Sequence, residues 1–175
     1  MMPMPRMAML SIMTWMLLVM SACTNVPPRD ATPSVWFGGV PPQNVAAVIN
    51  DNRERWHAAQ IADYRYQLDI NCFCFPQRDI LPLTMEVRAG QLAKITTNNG
   101  TAYPPSDPMY AFVQDYATID AIFATLMRDD MQQADVLDIN YDQTYGFPVD
   151  VAITYEHGRL DDGMTVSVQA FAPLP

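Results

Sequence analysis

Apolar and polar positions run along this chain in two rhythms. From Val45 to Ile61, apolar residues (Val45, Val48 or Ile49, Trp56, Ala59) recur at spacings of three and four. That spacing predicts a helix capped by Asn44, with Asp51–Arg55 as its solvent face. The period then drops to two. Tyr64, Tyr66, Leu68 and Ile70 alternate with Arg65, Gln67, Asp69 and Asn71, as in a strand buried on one side. Leu83 to Ala89 repeats that alternation, Gly90-Gln91 marks a turn, and Leu92 to Thr97 reads as a third strand.

Asn98 to Pro108, with Gly100 and three prolines, reads as a loop. Ile119, Ile122, Phe123, Leu126 and Met127 form a helical stripe, with Thr118 as N-cap and Asp120 near the positive end of the helix dipole. Three more strands follow, with inward sets Leu137/Ile139/Tyr141, Val149/Val151/Ile153/Tyr155 and Val166/Val168/Ala170. Their short connections favour antiparallel neighbours, because a parallel crossover needs a dozen residues or more. The expectation is an α+β domain in the order α-β-β-β-α-β-β-β. An antiparallel sheet of about six strands would carry two helices packed on one face.

The start of the chain follows different rules. Arg6 precedes an apolar run from Met7 to Met20, interrupted only by Ser11 and Thr14, and Ser21-Ala22-Cys23 closes it. This is a secretory pattern, and the run is too short for the roughly 20 residues a spanning helix needs. Small residues directly before Cys23 resemble the bacterial lipobox, although Met20 stands where Leu is commoner. That resemblance implies cleavage after Ala22 and lipidation of Cys23 with a diacylglycerol and further fatty acid such as palmitate, enough for stable anchoring. The organisation expected is a signal peptide over 1–22, a lipidated proline-rich tether over 23–43 and a single domain over 44–175. The lipid would hold the domain on the periplasmic or extracytoplasmic side. Thr24, in place of Asp, favours the outer membrane in a Gram-negative host.

Charge narrows the partners. The chain carries −9, and loss of Arg6 with the leader leaves nine basic against nineteen acidic residues, or −10. Nucleic acid is therefore not an expected partner, since phosphate backbones are recognised through positive charge.

Cys72 and Cys74 are the chief chemical candidates. Both continue the inward face of Tyr64 to Ile70, so in a regular strand both thiols would point to the core. Three readings remain open: a tight disulfide, suited to an oxidising exterior; reduced core thiols; or half of a soft-metal site. A disulfide across two residues needs the strand to bend, and Pro76 makes a bend credible. No complete metal-ligand set, cofactor motif, G-x-S-x-G elbow, H-E-x-x-H helix or P-loop occurs, so no metal or cofactor is expected. Trp36, Phe37, Tyr141, Tyr145 and Phe147 are candidates for an interaction surface; docking on the parent domain and cross-strand packing account for them as well.

Together, Trp56, Asp63-Tyr64-Arg65-Tyr66, Asn71-Cys72-Phe73-Cys74, Val87 to Leu92, Thr118-Ile119, Asn140-Tyr141-Asp142, Tyr145 to Pro148 and Ser167 to Phe171 resemble the DUF6174-type family of exported bacterial proteins and lipoproteins. The resemblance implies an exported protein and no particular activity. The functional expectation is a membrane-anchored envelope lipoprotein acting as a non-catalytic binding or interaction module. Its partners would be the lipid on Cys23 and an envelope protein or small ligand. A structural or assembly lipoprotein, and a soft-metal or thiol redox protein using Cys72 and Cys74, are the alternatives.

Overall fold

A computed structural model describes residues 44–155 and 162–175. The leader, the tether, Cys23, Trp36, Phe37 and the turn around His157 lie outside the described residues. Every described residue falls within one unit, Ala31–Pro175.

Six strands form one antiparallel sheet: β1 (Tyr64–Asn71), β2 (Leu83–Arg88), β3 (Gln91–Thr96), β4 (Val136–Tyr141), β5 (Pro148–Thr154) and β6 (Gly163–Pro173). Their spatial order is β3-β2-β1-β6-β5-β4, so two three-stranded meanders meet at a central β1–β6 pair.

The expected pair of helices is corrected by the structure. The described residues hold four α-helices: α1 (Val45–Ala58), α2 (Tyr110–Gln114), α3 (Ile119–Leu126) and α4 (Asp129–Gln132). A 3-10 turn also lies at Arg78–Ile80, so the order is α-β-β-β-α-α-α-β-β-β. Two extended residues cut the middle segment. Thr118, at φ −136° and ψ 158°, starts α3, and its hydroxyl accepts a bond from the Ala121 N–H at 3.0 Å. Arg128, at φ −69° and ψ 149°, separates α3 from α4. The apolar stripe marks only α3, because α2 and α4 are too short to display a helical period. Asn44 precedes α1 without a side-chain cap bond; its carbonyl accepts from the Val48 N–H at 3.1 Å.

One face of the sheet is buried. Tyr64, Tyr66, Leu68 and Ile70 of β1 lie beside Leu83, Met85 and Val87 of β2 in the core. Trp56 of α1 meets Tyr64 edge to face, with ring centroids 5.3 Å apart. The Tyr64 hydroxyl accepts from the Ile119 N–H at 3.0 Å, joining α3 to the same face. The Tyr66 hydroxyl donates to the Tyr116 carbonyl. These bonds satisfy two polar groups that burial would otherwise leave costly.

The inward set of β6 also differs from a simple alternation. A bulge between Arg65 and Gln67 on the β1–β6 ladder coincides with Ala170 at φ +49°. The extra residue shifts the phase, so Ala170 is exposed while the Phe171 ring packs on Trp56 and Phe147.

The turn between β4 and β5 docks under α1. The Asp142 carboxylate accepts from the Thr144 and Tyr145 N–H groups at 2.9 and 2.6 Å, and Arg55 donates to the Gln143 carbonyl at 2.6 Å. Gly146, at φ +80°, lies so close that a Cβ would stand 2.8 Å from the Asn52 carbonyl oxygen. Gly146→Ala should therefore destabilise the fold by at least about 1–2 kcal/mol from its backbone conformation alone. Urea unfolding followed by tryptophan fluorescence measures this, and an unchanged midpoint would refute the close packing of turn and helix.

Candidate functional site

The site begins where β1 stops. After Asn71 the chain turns, with the Phe75 N–H bonded to the Cys72 carbonyl at 3.4 Å. Phe75 is fully buried against Phe112, at a ring separation of 6.2 Å, and anchors the turn. Arg78 donates to the Cys72 carbonyl at 3.2 Å from the other side. Asn98 donates to the carbonyls of Asp79 and Leu81, at 2.9 and 2.7 Å, and steadies the rest of the connection. Gln77 and Tyr103 both donate to the Asp107 carboxylate, at 2.9 and 2.8 Å. The Gln77 bond leads in holding that carboxyl below its ordinary pKa.

Within this turn Cys72 and Cys74 form a disulfide, with S–S 1.96 Å and Cα–Cα 5.1 Å. The chain does bend, and the bend changes the expected geometry. Cys72 keeps the inward direction of β1 and is 5% exposed, whereas Cys74 is exposed and does not continue the buried face. Between them Phe73 is 77% exposed, a large apolar side chain at the tip of a covalently closed loop.

A pocket of about 220 Å³ lies against the disulfide. Met131, Met164, Tyr116, Tyr155 and Asp162 are among its walls. The Tyr155 hydroxyl donates to Met131 Sδ at 3.2 Å, and the Tyr116 hydroxyl to Met164 Sδ at 3.8 Å. Burial raises the pKa of both phenols, so both keep the proton they donate. Asp162 Oδ2 is shielded from solvent and has no hydrogen-bond partner among the described residues. On the rim, Arg128 bridges the Asp115 and Asp130 carboxylates at 2.9 and 2.8 Å. The Arg128 bond lowers the pKa of Asp130. A second cleft, of about 400 Å³, opens on the other sheet face beside Asp69, Asn71, Arg78, Thr165 and Ser167.

The aromatic candidates do not join this site. Phe147 is 3% exposed and lies edge to face with Trp56, inside the core. Tyr145 is half-buried against Phe171. Tyr141 is half-buried too; its hydroxyl has no partner among the described residues, and burial raises its pKa. Asp162 also lines the pocket, but nothing in the sequence spacing joins it to Cys72. Met131 and Met164 carry no pattern that marks them as neighbours of the cysteines. Among the described residues, no group of three or more His, Cys, Asp or Glu could hold a metal ion. Nor is any described helix long and apolar enough to cross a membrane.

Fold and site together define an α+β protein with a fully antiparallel sheet and a disulfide-closed loop at the end of a central strand. Residues 48–173 match the family of unknown function DUF6174, and the chain belongs to that family. No curated protein and no solved structure matches it.

The disulfide closes a very short loop, so it restricts the unfolded chain little. On loop-entropy grounds, Cys72→Ser with Cys74→Ser should cost about 1–2 kcal/mol, against about 3 for a 15-residue loop. Denaturant midpoints of the two proteins test this, and a loss above about 4 kcal/mol would make the bond a principal clamp of the fold. Intact mass with alkylation should show both thiols blocked until a reductant is added.

Proposed function

We propose that this is an exported, lipid-anchored protein of the bacterial envelope, acting as a structural or assembly component. The observation that carries this reading is the Cys72–Cys74 disulfide with Phe73 held outside it. A disulfide suits an oxidising compartment, in agreement with the signal-like leader and the lipobox-like Cys23. The bond adds little to global stability by the loop argument, so its main physical effect is local. It fixes a turn whose inner residue, Phe75, is buried and whose outer residue, Phe73, is presented to solvent. An apolar side chain on a rigid loop loses little entropy on docking, which favours contact with a partner of the envelope. The tether would give that contact reach from the membrane.

Anchoring is tested on the full-length chain in a bacterial host with lipoprotein processing. The membrane fraction should contain a chain cut before Cys23 and carrying acyl mass. Cys23→Ala should abolish that mass and release the domain from the membrane. An uncleaved chain, or membrane retention undiminished by Cys23→Ala, would sink the anchoring.

The contact is tested by a photocrosslinker at position 73 in the same host, with position 94 as control. One defined envelope component should be captured at 73 alone, and capture should fall at least fivefold in the Cys72→Ser, Cys74→Ser background. Equal capture at both positions, or none at either, would overturn the assembly role.

A further inference from the structure

The pocket beside the disulfide collects sulfur from three separate parts of the chain. Cys72 and Cys74 follow β1, Met131 belongs to α4, and Met164 opens β6. Beyond the leader the sequence has five methionines (Met85, Met109, Met127, Met131 and Met164), and two of them line this one cavity. Both thioethers are oriented by phenol hydroxyls, those of Tyr155 and Tyr116. Asp162 adds a carboxylate to the same walls, and its Oδ2 has no hydrogen-bond partner among the described residues. Arg128 at the mouth is already engaged by two carboxylates, so the approach is negative overall and favours a cation.

Thiolate and thioether ligands select soft metals, Cu(I) foremost among the biological ions. We propose that, once the Cys72–Cys74 bond is reduced, this pocket binds one Cu(I) ion through the two cysteine sulfurs and at least one of the Met131 and Met164 thioethers. The inference rests on the sulfur lining and not on the assembly role. Reduction by a protein dithiol transfers two electrons and two protons to the S–S bond. It leaves two thiols here and a disulfide on the reductant. Cu(I) then binds without changing its oxidation state, and each thiol that ionises gives its proton to solvent. With the disulfide closed, only the thioethers remain and the site is off. Copper capacity would therefore follow the thiol–disulfide poise of the compartment.

The test uses the full-length chain in detergent, carrying Cys23→Ala so that no third thiol competes. It is reduced with a phosphine, freed of reductant without air, and titrated with Cu(I) against a coloured bicinchoninate competitor. The reduced protein should withdraw one Cu(I), and the oxidised protein none. Met131→Leu with Met164→Leu nearly conserves volume. It should weaken binding at least tenfold while two thiols still titrate and thermal unfolding is little changed. Copper K-edge absorption of the unsubstituted pocket should show three or more sulfur neighbours, which keeps the test decisive if the double variant fails to fold. No withdrawal by the reduced protein, equal affinity without the thioethers, or two-coordinate copper would each overturn the proposal.

Discussion

The pairing of β1 with β6 is the constraint on which the rest of the molecule depends. Tyr64 to Asn71 must find Pro173 to Thr165, strands from opposite ends of the domain. The other strand pairs are consecutive antiparallel neighbours, and they flank this central seam on both sides. The seam also has two chemically different ends. At one, Tyr64 and Phe171 close around Trp56 and bind α1 to the sheet. At the other, Asn71 stands opposite Thr165, which brings the turn bearing Cys72 to the same place as Met164. A pairing so distant in sequence closes a large loop before its contacts repay the entropy, so the seam should form late in folding.

Much of this architecture was legible from period alone. β1 and β2 showed their alternation and α3 its stripe, because burial on one side writes directly into the sequence, whereas β3, whose burial does not alternate, was placed by the turn before it. What was not legible lacked such a signature. α2 and α4 are each little more than a turn, too short for a period of 3.6 to emerge, and α2 directly follows a proline-rich stretch that reads as loop. The bulge at Ala170 was hidden for a different reason. Alternation through Val166 and Val168 extrapolates smoothly to Ala170, and only the register with β1 turns Phe171 inward.

The site divides in the same way. A Cys-x-Cys pair at the end of an alternating strand is visible at once, and Pro76 hints at the bend that lets the sulfurs meet. The direction of the second cysteine was not legible, because strand parity ends where the strand ends. Met131, Tyr155 and Asp162 belong to a cavity assembled from the far meander and the helix before it. No local pattern connects them to Cys72, since it is the β1–β6 seam that makes them neighbours. Phe147 shows the converse. An aromatic beside a turn reads as surface, yet Gly146 lets that turn press against α1 and carries Phe147 into the core.

The disulfide is best understood by comparing what it does globally with what it does locally. Burying the Phe75 side chain contributes roughly 1.5–3 kcal/mol, as much as or more than a bond closing so short a loop. Phe75 also pins the turn from inside. The bond instead selects one conformation of the two residues next to that anchor. It leaves Phe73 and Cys74 exposed to solvent, with both cysteines lining the pocket. Opening it would therefore leave the sheet standing while releasing Phe73 and freeing two sulfurs beside two thioethers. A covalent link whose removal changes one loop more than the whole fold fits a device that sets what this end of the seam presents.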